Sequence, residues 1–251
     1  MAKHLPGSGC ARCLLALDAA GAACSAAVWR DGRVAARRFA AMGRGQSEHL
    51  LPMIEAVMAE AAVDYEALEA VAVTVGPGGF TGVRIGLAAA RGLALAWRTP
   101  LIGISNFAAV AAAVPVAEGT GRTLVVVLDS KRHESYVQAF APIGDGPARP
   151  LGPGAAVAPD ELDAWLPAGP VLLAGDGLQP ALAVLQAVGR DARAATSPGW
   201  TDAAQVARLA AAQPLPGPQA PPPRPLYLRA PDVTVPTVNP PNASPPGRPA
   251  R

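Results

Sequence analysis

The stretch Thr74–Trp97, "TVGPGGFTGVRIGLAAARGLALAW", reads as the end of a strand, a glycine-rich turn and a long helix. That order is shared by loops that cradle phosphates. A Walker loop needs two glycines five positions apart followed by Lys-Ser or Lys-Thr. Gly76 and Gly82 are too widely spaced, and no such pair follows. A dinucleotide loop needs G-x-G-x-x-G. Gly76 and Gly78 fit its first two positions, but Thr81 stands at the third. Backbone amides at the helix start could still hold an anion. The structural alternative is that the glycines make a sharp turn and Thr81 caps the helix.

The helix itself is more informative. Gly82, Gly86, Ala89 and Leu93 share one face, whose small side chains allow close backbone approach. Val83, Leu87, Ala90 and Ala94 form a second apolar face beside it, and Arg84, Arg91 and Arg98 make the polar stripe. A surface helix normally carries one apolar stripe. This helix is apolar over more of its circumference, so it is either central in its own domain or shared with a partner.

The chain has 251 residues, 51% of them hydrophobic and 16% charged, enough for two small lobes with real cores. Aromatics are only 4%, so the core is built of Ala, Val, Leu and Ile. A net charge of +2 argues weakly for nucleic-acid contact, which needs a concentrated basic patch, although a small one is compatible with it. Asp18 interrupts the first apolar run, so "LLALD" reads as a strand rather than a signal peptide. The uncharged run Thr99–Ala117 is divided by Pro100, Gly103, Ser105, Asn106 and Pro115 and does not read as a membrane span. The expectation is a cytoplasmic protein without membrane contact. Of three cysteines, Cys10 and Cys13 form a CxxC that precedes a strand instead of following one, and they read as reduced thiols in a loose leader.

Strands are expected over 13–20, 24–29 and 34–39, the last two joined by Asp31-Gly32, a tight hairpin signal. A helix over 47–62, capped by Ser47 and disturbed by Pro52, places Leu50, Ile54, Val57 and Ala61 on one face. Strands at 70–75 and 100–105 and a helix at 106–114 complete this half. The second half repeats the theme less clearly. Strands are expected at 123–130, 134–141 and 171–175, and helices at 160–166, 178–188 and 202–212, with 142–159 as loop. From Gln213 the chain is Pro-rich. Only "PLYLRAPDV", 225–233, looks able to dock, and 236–251 should be disordered.

Reactive constellations are missing. His4, His49 and His133 are isolated, without an HExxH pair. "GISNF" fails as a nucleophile elbow because Phe107 replaces the second Gly. Asp18, Asp129 and Asp176 each follow an apolar strand, a place where carboxylates hold metal or phosphate but also cap turns. The turn reading is favoured, because no cation set stands beside them. Asp18 is the least bland, since its surroundings are shaped like a phosphate hairpin.

The segments "LALDAAGAACSAAVWRDG", "SEHLLPMI", "VGPGGFTGVRIGLAAARGLALAW", "PLIGIS", "LDSKRHESYV" and "PLYLRAPDV" follow the order seen in the TsaB (YeaZ) family, which the chain resembles over roughly 13–233. G-P-G-x-F-T-G-x-R-I-G is the most specific of these. The resemblance implies the two-lobe α/β fold of the actin, sugar-kinase and heat-shock-ATPase class, with mixed sheets flanked by helices. With the composition of its ends, the chain divides into a leader (1–12), a first lobe (13–108), a second lobe with a returning segment (109–233) and a Pro-rich tail (234–251). The resemblance further implies a non-catalytic subunit of the bacterial system that makes tRNA threonylcarbamoyladenosine. Such a subunit would bind no cofactor itself; nucleotide and metal belong to the catalytic relative TsaD. The implied partner surface carries Leu50, Ile54, Val57, Gly82, Gly86, Ala89 and Leu93, with Asp18, Gly76 and Gly78 as a vestigial phosphate loop. Gly86→Leu or Ile54→Asp should then break pairing and spare the monomer. The ATPase TsaE is expected to join the pair, tRNA contact is expected to be indirect, and the chain alone could form a homodimer. Rival readings are a stand-alone glycoprotease-like peptidase and a small-molecule kinase of the same fold. Asp129-Ser130-Lys131 departs from the family's D-A-R or D-A-K, and neither the CxxC leader nor the tail is accounted for by the resemblance.

Overall fold

The computed structural model describes residues 12–144, 146–217 and 219–229. Residues 1–11 of the proposed leader, with Cys10, residues 230–233 of the returning segment and the whole 234–251 tail lie outside the described residues. Two five-stranded mixed sheets form two lobes. In the first, β1 (Leu14–Asp18), β2 (Ala23–Arg30) and β3 (Arg33–Ala41) make an antiparallel meander. After α1 (Gln46–Glu60), β4 (Ala70–Thr74) joins β1 in parallel. After α2 (Phe80–Trp97), β5 (Leu101–Ile104) joins β4 in parallel.

Two short helices, α3 (Asn106–Ala111) and α4 (Val116–Gly119), lead into the second lobe. There β6 (Thr123–Leu128), β7 (Ser135–Phe140) and β8 (Ala155–Val157) form the second antiparallel meander. Then α5 (Leu162–Trp165), β9 (Val171–Ala174), α6 (Leu178–Ala187) and β10 (Ala192–Ala194) follow, the strands β9 and β10 pairing in parallel. The sheet orders β3-β2-β1-β4-β5 and β8-β7-β6-β9-β10 are the same topology twice. This is the two-lobe mixed-sheet architecture expected of the class.

The local reasons are those of the sequence. Asp31 and Gly32 both adopt positive φ, 53° and 79°, as a two-residue hairpin turn requires. β1 and β4 are buried at every position, because each lies inside a sheet covered on both faces. α1 and α2 cover one face of the first sheet through Leu50, Ile54, Val57, Val83, Leu87 and Ala90.

Several expectations need correction. Helix α1 starts at Gln46 behind Gly45, which sits in the left-handed region; Ser47 makes no cap. Thr81 does not cap α2 either, since the cap position is Gly79 and Thr81 is an exposed residue of the first turn. Both helix starts follow glycine turns, so each hydroxyl falls two residues past the cap position. Cys13 is not part of a loose leader. It is buried and paired to Glu69 at the edge of the first lobe. The 142–159 loop hides β8, and β10 was not expected at all; each is a three-residue edge strand, too short to show a period.

The lobe boundary also shifts. The last helix, α7 (Ala203–Ala211), falls in the second half of the chain but packs on the first sheet. Ala203, Val206, Ala207 and Ala210 bury themselves against Leu14, Ala16, Ala27 and Ala72. Asp202 caps that helix through Ala204 N (2.9 Å) and pairs with Arg37 on β3. Among the described residues no helix is long and apolar enough to cross a membrane.

Candidate functional site

The two lobes face each other across a cleft of about 510 Å³ at the ends of their central strands. Its floor starts at Asp18, the last residue of β1, which is fully buried. Asp18 Oδ1 accepts hydrogen bonds from Thr74 Oγ1 (2.7 Å), Asn106 Nδ2 (3.2 Å) and Ala20 N (3.4 Å). Its Oδ2 is buried with no hydrogen-bond partner. Burial pushes the carboxyl up to about 6 against the opposing pull of those donors, and the Asp202 charge adds to the rise.

Asn106 ties the floor together. Its Nδ2 also donates to Thr201 Oγ1 (2.9 Å), and its Oδ1 accepts from Gly76 N (2.9 Å). One amide therefore joins the end of β1, the glycine loop and the chain entering α7. Sequence reasoning treated Asn106 only as a break in an apolar run. Its partners are 30, 88 and 95 residues away in sequence, and no local signal reveals them.

The glycine loop packs tightly between two other segments. Gly76 has φ +102°, and a Cβ there would lie 2.9 Å from the Leu226 carbonyl oxygen. A Cβ at Gly78 would collide with the Ala20 carbonyl, and Gly79 N donates to that same oxygen (2.7 Å). Leu226 N in turn donates to Val75 O (2.7 Å). Asp18 and Gly78, grouped above with Gly76 as a vestigial phosphate loop, both line this cleft. The amides of Gly76 and Gly79 are committed to protein acceptors, and the glycines are needed because backbone fills the space a side chain would occupy.

Across the cleft stand Asp129 and Asp176, and the structure brings Lys131 beside them. Lys131 Nζ donates to Asp129 Oδ2 (2.6 Å), Lys131 N to Asp129 Oδ1 (2.6 Å), and Asp129 N to Asp176 Oδ1 (2.9 Å). Burial would raise Asp129, but the Lys131 hydrogen bonds and charge outweigh it and hold the carboxyl below its ordinary value. Asp176 is raised by burial. Asp129 does cap its own turn through Lys131 N, as expected, whereas Asp176 accepts from the Asp129 amide 47 residues away, and the expectation of no cation beside them fails. Among the described residues, no three His, Cys, Asp or Glu side chains come together as a metal cluster.

The helix residues singled out for partner binding divide. Leu50, Ile54, Val57 and Gly86 point into the first lobe's own core. Gly82 is pressed onto the Ala19 carbonyl oxygen, where a Cβ would collide. Ala89 and Leu93 are half-buried against the same core. As a ready-made docking face this set is corrected: the small residues let α2 approach the β1–β2 turn, and the large ones fill the lobe. Gly86→Leu and Ile54→Asp would damage the monomer itself. What α2 leaves outside is a neighbouring strip, Ala88, Gly92, Leu95 and Ala96, with Leu95 82% exposed. A Cβ at Gly92 would meet nothing within 4 Å.

Residues 40–153 match the family model described as TsaD, tRNA N6-adenosine threonylcarbamoyltransferase. The tRNA threonylcarbamoyladenosine biosynthesis protein TsaB of Escherichia coli (strain K12) is 37% identical over 123 residues, 49% of this chain and 52% of that protein. The match therefore spans about half the length of such curated relatives. Two structures from Pseudomonas aeruginosa align over most of the chain. One, described as similar to peptidase YeaZ, is 27% identical with TM-score 0.70, covering 87% of this chain and 100% of that one. The other, YeaZ, is 29% identical with TM-score 0.67, covering 80% and 91%.

Proposed function

We infer that the chain belongs to the TsaB (YeaZ) family, and from that premise we propose that it is a non-catalytic subunit in the biosynthesis of tRNA threonylcarbamoyladenosine. It docks on a TsaD homologue, which supplies the nucleotide site, the metal and the transfer chemistry. A TsaE ATPase joins the pair, the complex works in the cytoplasm, and the free chain can pair with itself through the same face. The observation that carries this reading is the outer strip of α2. An exposed Leu95 beside Ala88, Gly92 and Ala96 is an apolar strip of small side chains, bordered on one side by Arg91. Another helix can approach such a surface closely.

The non-catalytic part of the proposal is supported by the glycine loop. Its Gly76 and Gly79 amides serve Asn106 and Ala20, so they are not free to bind a phosphate. The names of the curated relatives support the pathway, and the match of residues 40–153 to the TsaD model supports kinship with the catalytic partner.

The test is a pull-down of a TsaD homologue by the tagged chain. Wild type should retain it. Leu95→Asp combined with Ala88→Glu should lose it while melting within a few degrees of wild type, because both residues are exposed. Retention by the double variant would refute this docking face, and threonylcarbamoyl transfer by the pure chain would refute the non-catalytic role. One observation favours a small-molecule kinase instead: a cleft of about 510 Å³ with an unpartnered, buried Asp18 oxygen at its floor. Tight ATP binding by the isolated chain, lost in Asp18→Asn, would support that reading.

A further inference from the structure

The sequence carries a net charge of only +2, yet its cations are not evenly spread. The returning segment, 223–229, lies along α2 and crosses to the second lobe, and basic side chains follow it. Arg91 Nη2 donates to Pro223 O (2.7 Å), and Arg84 Nε donates to Tyr227 Oη (3.1 Å). Arg229 pairs with Glu134 (2.9 Å), and Lys131 with Asp129 (2.6 Å). With Arg132 and Arg224, six cations lie in or beside this segment, against the three carboxylates Asp129, Glu134 and Asp176.

The same place gathers aromatic rings. The Phe80 and Tyr227 rings pack with centroids 5.6 Å apart, and Arg84 lies 3.5 Å over the Phe80 ring. Phe80 is 46% exposed and Tyr227 43%, so the contact between them buries neither residue. Beside them is a cavity of about 440 Å³ lined by Phe80, Lys131, Arg132, Tyr136, Tyr227 and Arg229. Aromatics are 4% of the chain, yet three of them line this one cavity. Had the rings served only to pin the returning segment, they would be expected to bury each other.

Open rings within a basic groove are the components of single-strand nucleic-acid binding. The cations track the phosphates, and the rings stack with bases whatever their sequence. We propose that this aromatic and basic strip binds a single-stranded nucleic acid directly, a base stacking on Phe80 or Tyr227 and the phosphates passing Lys131, Arg132 and Arg229. The choice of RNA as natural occupant rests on the function proposed above, and it replaces the expectation of indirect tRNA contact. The preference for a single strand over a duplex does not depend on that function.

The test is fluorescence anisotropy with the full-length chain and a labelled ten-nucleotide single-stranded RNA of mixed sequence. The arms are the same sequence as DNA, its RNA duplex, and polyglutamate as competitor. Saturable binding is expected with Kd of about 10⁻⁴ to 10⁻⁶ M at physiological salt. Phe80→Ala should weaken it about tenfold. Lys131→Gln with Arg132→Gln should flatten the salt dependence by about 0.7 for each phosphate that is no longer neutralised. This second variant leaves the ring stack intact, so it tests the strip even if Phe80→Ala loosens the fold, which a melting curve reads. Tighter binding of RNA than DNA supports RNA as the occupant; DNA bound tighter overturns RNA and keeps the single-strand site. The proposal is overturned by absent binding, by equal binding of the duplex, by folded variants that bind like wild type, or by polyglutamate binding more tightly than RNA, which would make the strip a site for an acidic protein segment. The measurement uses the chain alone, so its failure leaves the TsaD pull-down result untouched, and the reverse holds.

Discussion

Replacing Asp18 by Asn should change how the stability of this protein depends on pH. The carboxyl is fully buried at the cleft floor; Oδ1 holds three donors and Oδ2 holds none. Burial moves its pKa from 3.8 to about 6. Between about pH 4 and pH 6 the folded state keeps this proton while the unfolded chain releases it, so stability falls as pH rises through that window. The penalty approaches about 3 kcal/mol above pH 6, at about 1.4 kcal/mol for each pH unit separating the two pKa values. Asn keeps an oxygen for Thr74 and Asn106 but cannot ionise. Asp176, also raised by burial, and Asp129, held low by Lys131, titrate in both proteins and cancel in the difference. The melting temperature of Asp18→Asn, measured against wild type by circular dichroism, should therefore gain about 6–12 °C between pH 4 and pH 7, at about 2–4 °C per kcal/mol for a chain of this size. A difference that stays flat across that range would refute the reasoning, as would an Asp18 carboxyl carbon resonance titrating near pH 4.

Asn106→Ala removes two donated bonds and one accepted bond and strands the Gly76 amide, so it should cost about 3–4 kcal/mol in chemical denaturation; a loss under about 1 kcal/mol would mean that water replaces the side chain. Two glycines of the same helix should respond with opposite signs. Gly82→Ala drives a Cβ into the Ala19 carbonyl and should cost about 1–3 kcal/mol, whereas Gly92→Ala meets open space and should gain about 0.5–1 kcal/mol. Equal melting temperatures for the two would refute the packing account. Leu95→Asp with Ala88→Glu should abolish TsaD retention without unfolding the chain, and Phe80→Ala should weaken single-stranded RNA about tenfold.

Local chemistry was legible where neighbours in sequence are also neighbours in space. The apolar runs of β1 and β4, the Asp31-Gly32 turn and the sharp glycine bend before α2 all rest on residues a few positions apart. The absence of a Walker or zinc motif is equally a matter of spacing. Short edge strands such as β8 and β10 carry too few residues to show a period, and they were missed.

The sequence by itself determined the doubled α/β pattern, the surplus apolar surface of α2 and the need for glycine at its start. Only the tertiary structure decided what those features face. It turned Gly82 and Gly86 inward onto the β1–β2 turn and left Ala88, Gly92 and Leu95 outside. It returned α7 to the first lobe, and it placed Leu226 against Gly76 and Tyr227 against Phe80. The physical reason is that helical periodicity assigns residues to faces but does not say which face meets protein and which meets water. That is settled by segments distant in the chain, the Ala19 carbonyl from before the helix and the Tyr227 ring from long after it, which occupy parts of its surface and leave the rest open.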